Sequence, residues 1–319
     1  MRVRFPSAPP LLYLILMKIL LAVSGGVDSV VLLDLLAKNK FEKFIGYHLP
    51  INNYQLSIAH FNHAMHREAD KQTKFVEKLA QKYGVDFYSE KTKKKLRSEA
   101  EAREARYAFL NRIAEEICAE RIVTAHHADD AVETILFNLI RGSGIAGLGG
   151  MSELNGKIWR PLLGVSKAQL EAYAKKNKLK WVKDPTNQNI NYKRNFIRKE
   201  ILPRCAKINP QVTEAILRIG KQARENAEFV KLLAVEWLRR FRKRNSIPLA
   251  EFNSLPIALQ REIIREIYIN KIGNTLKLEE KHFSEVLELA RSGVGNKQKQ
   301  FGKLIFKTMR SDGIRVLVW

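Results

Sequence analysis

Short apolar runs alternate with stretches of helical periodicity through the first two hundred residues. Ile19–Val23 reads as a buried strand, followed by a helix through Val30, Leu33 and Leu36. Leu56–Phe61 predicts a second strand, and Arg67–Tyr83 a helix stopped at Gly84. Asp86–Ser89 predicts a short third strand, and Ser98–Cys118 an Ala- and Glu-rich helix. Ile122–Ala125 predicts a fourth strand, followed by a helix from Asp129 to Arg141. Strands joined through helices require right-handed crossovers. The expected fold class is therefore α/β, with a doubly wound parallel sheet.

The pattern then changes. Gly142–Gly150 is too rich in glycine for a helix and reads as a loop. Ser166-Lys-Ala-Gln169 is a capping box that opens another helix. Beyond Pro203 and Pro210 the strand signal vanishes, and Gln211–Arg244, Leu255–Lys271 and Glu279–Arg291 read as helices. Gly302–Trp319 alternates around Asp312-Gly313 like a β-hairpin. Two domains are expected: an α/β domain over 17–210, and a mainly helical domain with a C-terminal hairpin over 211–319.

Charge narrows the function classes. The 319 residues carry 56 Lys and Arg against 33 Asp and Glu, a net +23, and the excess is shared almost equally on either side of residue 200. An evenly basic globular chain points to nucleic acid or another polyanion. Cys118 and Cys205 are the only cysteines and neither lies in a CxxC, which argues against a disulfide framework, a structural zinc site and an iron–sulfur cluster, and fits a reducing cytoplasm. Leu11–Val23 imitates a signal peptide, but Lys18 interrupts it and it is too short to span a bilayer. Met17 is a second in-frame start, and Val3-Arg4-Phe5 can be encoded by a stretch resembling the T-arm of a tRNA gene. Residues 1–16 are expected to be a non-native or disordered extension.

Candidate chemistry sits at strand ends. Ser24-Gly25-Gly26-Val27-Asp28-Ser29 follows the first strand and opens the first helix. Two glycines permit a sharp turn with close backbone approach, and free amides at a helix N-terminus make a pocket for a polyphosphate. The loop lacks the lysine of a Walker motif and the third glycine of a dinucleotide fingerprint. His126-His127-Ala-Asp129-Asp130 follows the fourth strand, on the same C-terminal edge of the sheet. Asp129 and Glu133, four apart, are expected on one helix face, where carboxylates can hold Mg²⁺, act as a base or simply cap the helix. A metallohydrolase is not supported, because HxHxDH is absent.

Ser24–Ser29 resembles the pyrophosphate loop of the N-type ATP pyrophosphatases, or PP-loop superfamily. Thr124–Thr134, Arg141–Leu148, Arg160-Pro-Leu-Leu163, Asp184-Pro-Thr-Asn187 and Arg194-Asn195-Phe-Ile-Arg198 stand in order behind it. Together these segments closely resemble the tRNA(Ile)-lysidine synthetase family, strongly over residues 17–205 and loosely beyond. Ala131 departs from the family's usual Gln. The related tRNA thiolases carry cysteines that this chain lacks.

The resemblance implies ATP and Mg²⁺ as cofactors, with pyrophosphate on Ser24, Gly25, Gly26, Val27, Asp28 and Ser29. It places Asp28 at the magnesium, with Asp129 a second candidate. It places adenine near the end of the second strand, where His60 and His63 stand, either as contacts or as loop histidines with no ligand. The implied partners are tRNA(Ile) with a CAU anticodon and free L-lysine; no membrane is involved, and a homodimer is suggested. Asp28, Asp129, Asp130 and Arg198 are the catalytic candidates, although Arg198 could equally sit on a solvated helix face. Arg103, Arg106, His127, Glu133 and Asn195 are the substrate candidates, with Arg103 and Arg106 on a helix that could be plain surface. Basic runs at Lys91–Arg97 and Arg239–Arg244 suit RNA phosphates. Another adenylating tRNA modifier, or an RNA-binding module with a vestigial nucleotide site, are the alternatives.

Overall fold

The structure, a computed structural model, describes residues 17–46, 53–64, 68–92, 98–182, 193–241, 244–273, 278–292, 297–311 and 313–319. Residues 1–16, the Asp184–Asn187 motif, Lys93–Arg97 of the first basic run, Arg242 and Lys243 of the second, and Asp312 lie outside them. Two compact units are present. One comprises the chain up to Ser143 with Gly150–Arg218; the other comprises Gly144–Gly149 with Ile219–Trp319.

The first unit is a six-stranded sheet in the order β3-β2-β1-β4-β6-β5. Its strands are β1 Met17–Ala22, β2 Tyr54–Asn62, β3 Asp86–Lys91, β4 Arg121–Val123, β5 Leu154–Asn155 and β6 Ile158–Trp159. The pairs β1·β2, β1·β4, β2·β3 and β4·β6 are parallel and β5·β6 is antiparallel. The doubly wound parallel sheet is therefore present, with a short antiparallel edge. The sequence pattern missed β5 and β6 because two-residue strands carry no readable period.

Helices cover both faces: α1 Val27–Ala37, α2 Phe41–Ile45, α3 Ala69–Tyr83, α4 Glu99–Glu116 and α5 Ala128–Ile140. Period-two alternation in β1 feeds two cores. Ile19 and Leu21 pack with Val30 and Leu33 of α1 and Val76 of α3, whereas Leu20 packs with Phe109 and Leu110 of α4. Each such side chain contributes about 1.5–3 kcal/mol by burial. The chain runs from β1 outward to β2 and β3, then returns to β4 on the other side of β1. The order thus reverses between β1 and β4, where such sheets open a crevice at their C-terminal ends.

The remaining elements of the first unit are α7 Lys167–Lys176, α8 Lys193–Phe196, a π-helical turn Ile197–Ile201 and α9 Leu202–Ile208. The capping box stands as read: Ser166 Oγ accepts from Gln169 N at 3.3 Å, and Gln169 Oε1 accepts from Ser166 N at 2.9 Å. The Gly142–Gly150 stretch differs from the expected loop, because Ile145–Leu148 forms one helical turn, α6. Gly149 sits so close to Arg224 that a Cβ would meet its Cα at 3.2 Å, and the Arg224 guanidinium donates to Gly149 O at 2.8 Å. That packing holds a turn which local propensity disfavours.

In the second unit the expected hairpin is half of a larger sheet. Strands β7 Ser246–Pro248, β8 Gln298–Phe301, β9 Leu304–Ser311 and β10 Ile314–Val318 form an antiparallel sheet in the order β7-β10-β9-β8. A Pro-ended triplet and a Gln/Lys-rich strand escape pattern reading because their partners, not their composition, make them strands. Helices α11 Leu249–Ser254, α12 Ile257–Ile272 and α13 Glu280–Ser292 pack on it around Phe252, Ile263 and Phe306. Helix α10, Val212–Arg239, crosses the division between the units. Trp237 and Phe241 join this core, with rings 4.8 Å apart. No described helix is long and apolar enough to cross a membrane.

Candidate functional site

The chain leaves β1 into Ser24 and turns through Gly25 at φ +87°, a conformation that favours glycine. A Cβ there would meet Gln72 Cγ at 3.3 Å. Neighbours shape the loop: Gln72 Nε2 donates to Ser24 O at 2.7 Å and Val182 N to Gly25 O at 2.9 Å. Inside it, Ser29 Oγ donates to Gly26 O at 3.0 Å and accepts from Ser24 N at 3.2 Å. Val27 turns its side chain into the core, so only its backbone can serve a ligand. Asp28 lies in the first turn of α1, and Lys167 Nζ donates to both its carboxylate oxygens at 2.8 Å.

The loop opens on a cavity of about 430 Å³, of the size that small ligands occupy. Ser24, Asp28 and Ser29 line it from the loop, and Asp130, Glu133, Asn195 and Arg198 from α5, α8 and the π-helical turn. Arg103, Arg106 and Tyr107 line it from α4, and His60 from β2.

The two histidines after β4 point to opposite fates, as side chains on extended backbone do. His126 lines the cavity, with Nδ1 2.8 Å from Thr124 Oγ1. Burial, then the guanidiniums of Arg103, Arg106, Arg160 and Arg194, push its pKa down to about 3, so the ring is neutral. His127 is instead packed among carboxylates, Nδ1 3.5 Å from Asp129 Oδ2 and Nε2 3.4 Å from Asp130 Oδ2 and 3.8 Å from Asp28 Oδ2. Burial opposes its charge, but these carboxylates outweigh it and raise its pKa. The pattern singled out His127; the cavity-lining member of the pair is His126.

The carboxylates of α5 also divide. Asp129 Oδ2 accepts from Lys167 N at 2.9 Å, and the neighbouring His127 followed by this amide pulls its pKa down to about 2. Asp129 does not line the cavity. Asp130 caps α5 by accepting from His127 N at 3.0 Å, and its other oxygen lies 3.5 Å from Arg198 Nη2. Glu133 is buried, accepts from Arg198 Nε at 2.5 Å, and has its pKa raised by burial against the pull of that arginine. Asp129 and Glu133 stand four apart in α5, but it is Asp130 with Glu133 that lines the cavity. Arg198, 41% exposed, bridges them from the π-helical turn, partly solvated yet paired with both carboxylates.

His60 of β2 is buried, its Nδ1 2.8 Å from the carbonyl of Val23 just past the end of β1. A carbonyl only accepts, so Nδ1 carries the proton; burial lowers the pKa and the ring is neutral. Arg103 and Arg106 stack on the Tyr107 ring, at 4.8 and 5.5 Å. Lys91 of the first basic run is paired with Asp70, and Arg239 and Arg240 of the second with Glu236 and Glu251. Neither Lys167 nor Arg194 was singled out as a site residue, although Arg194 opens the Arg194–Arg198 motif and Lys167 lies in the Ser166–Gln169 capping box. A basic residue opening a helix in a capping box was the available signal for Lys167. Among the described residues no three of His, Cys, Asp or Glu form a metal cage. Asp28, already holding an ammonium, offers one carboxylate to a cation beside the loop, a donor set that suits Mg²⁺ when phosphates supply further oxygens.

Similarity to known proteins agrees with this geometry. A model of the PP-loop domain matches residues 14–205. A tRNA(Ile)-lysidine synthase from Thermosipho africanus is 40% identical over 222 residues, covering 67% of this chain and 50% of that protein, so the chain spans about half of that relative's length. One from Petrotoga mobilis is 33% identical over 289 residues, covering 87% of this chain and 86% of that protein. Among solved structures, the U34-tRNA thiolase NcsA from Methanococcus maripaludis superposes with a TM-score of 0.54 at 22% identity, covering 66% of this chain and 72% of that one, a likeness of fold. With the loop, the paired carboxylates and the fold in agreement, the chain belongs to the tRNA(Ile)-lysidine synthase family of PP-loop proteins.

Proposed function

We propose that this chain joins free lysine to C2 of the wobble cytidine in tRNA(Ile) bearing a CAU anticodon, using ATP and Mg²⁺. One observation carries the reading: a single cavity is lined by the Ser24–Ser29 loop, by the carboxylates of Asp130 and Glu133, and by a set of arginines. The amides of the loop bind the pyrophosphate part of ATP, and Asp28 would hold Mg²⁺, which neutralises phosphate charge when bound. The cytidine O2 attacks the α-phosphorus and pyrophosphate leaves, which turns a poor leaving group into AMP. The lysine ε-amine then forms a bond to C2 as the C2–O bond breaks.

With a pKa near 10.4, roughly one lysine in 2,500 has a free ε-amine at pH 7. Asp130 and Glu133 supply the carboxylates that orient the ammonium and take its proton, with Arg198 setting their geometry. Asp129, held by Lys167 N and His127, acts on this site through those neighbours. A cytoplasmic setting accords with the free cysteines Cys118 and Cys205. Homodimer assembly is part of the reading, supported by Phe229 and Leu232 of α10, which are 62% and 68% exposed.

The test is incorporation: protein, ATP, Mg²⁺, CAU-bearing isoleucine tRNA and labelled lysine, with nucleosides read by mass spectrometry. The expected result is a cytidine heavier by one lysine less one water. AMP release on adding RNA without lysine incorporation would point to a different nucleophile.

A further inference from the structure

The cavity wall around His126 holds cationic charge that the acidic residues of the site do not answer. Arg198 is matched by Glu133 and Asp130. Arg160 is buried and donates to Ser152 O at 2.9 Å. Arg103 donates to the Tyr107 hydroxyl at 3.4 Å and stacks on its ring, with no carboxylate among its described partners. Arg194, four residues before Arg198, is half-buried and lines the cavity, yet makes no ion pair or hydrogen bond among the described residues. A partly desolvated guanidinium with no anion beside it is costly unless an anion arrives. The neutral ring of His126 supplies none.

We propose that Arg194, assisted by Arg103, grips the phosphodiester next to the nucleotide whose base enters the cavity. The inference rests on the RNA-adenylating reading above and assigns one residue a part in it. Two phosphate sources are at hand, the RNA backbone and ATP, and the structure favours the RNA. The ATP side has its own donors in the loop amides, with the Lys167 ammonium at Asp28. Arg194 instead belongs to the segment that carries Asn195 and Arg198 and faces the carboxylates of α5. A base delivered to those carboxylates brings its flanking phosphates to the same wall. Guanidinium is suited to such a contact because its fork matches two phosphate oxygens. A contact of this kind positions RNA without reading its sequence.

The test compares the full-length chain with Arg194→Gln and Arg194→Lys. CAU-bearing isoleucine tRNA is titrated by fluorescence anisotropy across a salt series, ATP is titrated by calorimetry, and RNA-dependent pyrophosphate release is followed in parallel. We expect Arg194→Gln to weaken RNA binding about tenfold and to reduce the slope of log affinity against log salt by about 0.7–0.9, the share of one phosphate. KM for RNA should rise by more than kcat falls, ATP affinity should hold, and Arg194→Lys should recover much of the salt slope. Loss of ATP affinity with an unchanged RNA slope would overturn the assignment in favour of ATP phosphate. No change in either would overturn it in favour of an idle surface cation. Equal melting temperatures of the variants exclude misfolding as the cause. If the wild-type chain releases no pyrophosphate on adding RNA, the functional reading fails, while the salt series still decides the role of Arg194.

Discussion

Lys167 Nζ sits 2.8 Å from each carboxylate oxygen of Asp28, joining the first residue of α7 to the first turn of α1 across 139 residues of sequence. The backbone N–H of the same lysine holds Asp129 at 2.9 Å. One residue thus ties the loop after β1 to the helix after β4, spanning the point where the strand order reverses. The ammonium also places positive charge beside the Ser24–Ser29 loop.

Replacing Lys167 with Met keeps most of the stem and removes the charge. We expect ATP affinity to fall about tenfold, equivalent to about 1.4 kcal/mol, with a melting temperature only a few degrees lower, because both partners are partly exposed. Calorimetric titration of ATP with a parallel melting curve checks this. An unchanged ATP affinity would show that the lysine acts on the fold alone.

Arg198→Ala removes the partner of a buried carboxylate. The Glu133 side chain is 2% exposed, so the variant should lose about 2–3 kcal/mol, short of the full cost for a buried pair because Arg198 itself is 41% exposed. Glu133 should then take up a proton at higher pH than in the wild type. Denaturant unfolding at pH 6 and pH 9 measures both effects, and the second should show the larger loss.

The His127–Asp129 contact makes stability depend on pH with a defined sign. The folded pKa of His127 is raised, so its contribution is complete below its ordinary 6.5 and is lost as pH rises through the folded value. That of Asp129 is lowered to about 2, so its contribution is complete above its ordinary 3.8 and is lost as pH falls towards 2. His127→Asn should therefore destabilise most between about pH 4 and pH 6.5. Unfolding curves across pH 3–9 would contradict this if the difference were flat.

Asp34 of α1 is fully buried and accepts from the hydroxyls of Tyr83 at 2.5 Å and Tyr173 at 2.8 Å, with Lys38 Nζ at 2.6 Å. Burial pushes its carboxyl up, but these donors outweigh it and hold the pKa below the ordinary value. The cluster ties α1, which opens at the Ser24–Ser29 loop, to α3 and α7. Asp34→Ala should cost about 3 kcal/mol by orphaning two hydroxyls, read as a lowered melting temperature. Tyr83→Phe should cost about 1 kcal/mol.

Local information determined a good deal. Apolar runs and helical periods marked β1 to β4 and α1, α3, α4 and α5, whereas the five-residue α2 was too short to show a period. Ser24–Ser29 and the His126–Asp130 segment were legible because tight turns and helix starts demand particular residues at fixed offsets. A parallel sheet followed from strands joined through helices, and with it the edge where the site lies.

Tertiary structure decided the rest. Which of His126 and His127 faces the cavity depends on where α5 packs, and whether Asp129 or Asp130 joins Glu133 depends on the amide of a lysine far along the chain. Lys167 and the Asp34 cluster act through partners dozens of residues away, and β7 and β8 are strands only because β10 and β9 pair with them. Periodicity records how a segment meets the core. It holds no record of which distant residue supplies a hydrogen bond or a charge, and in this site those partners decide which groups are ionised and which face the ligand.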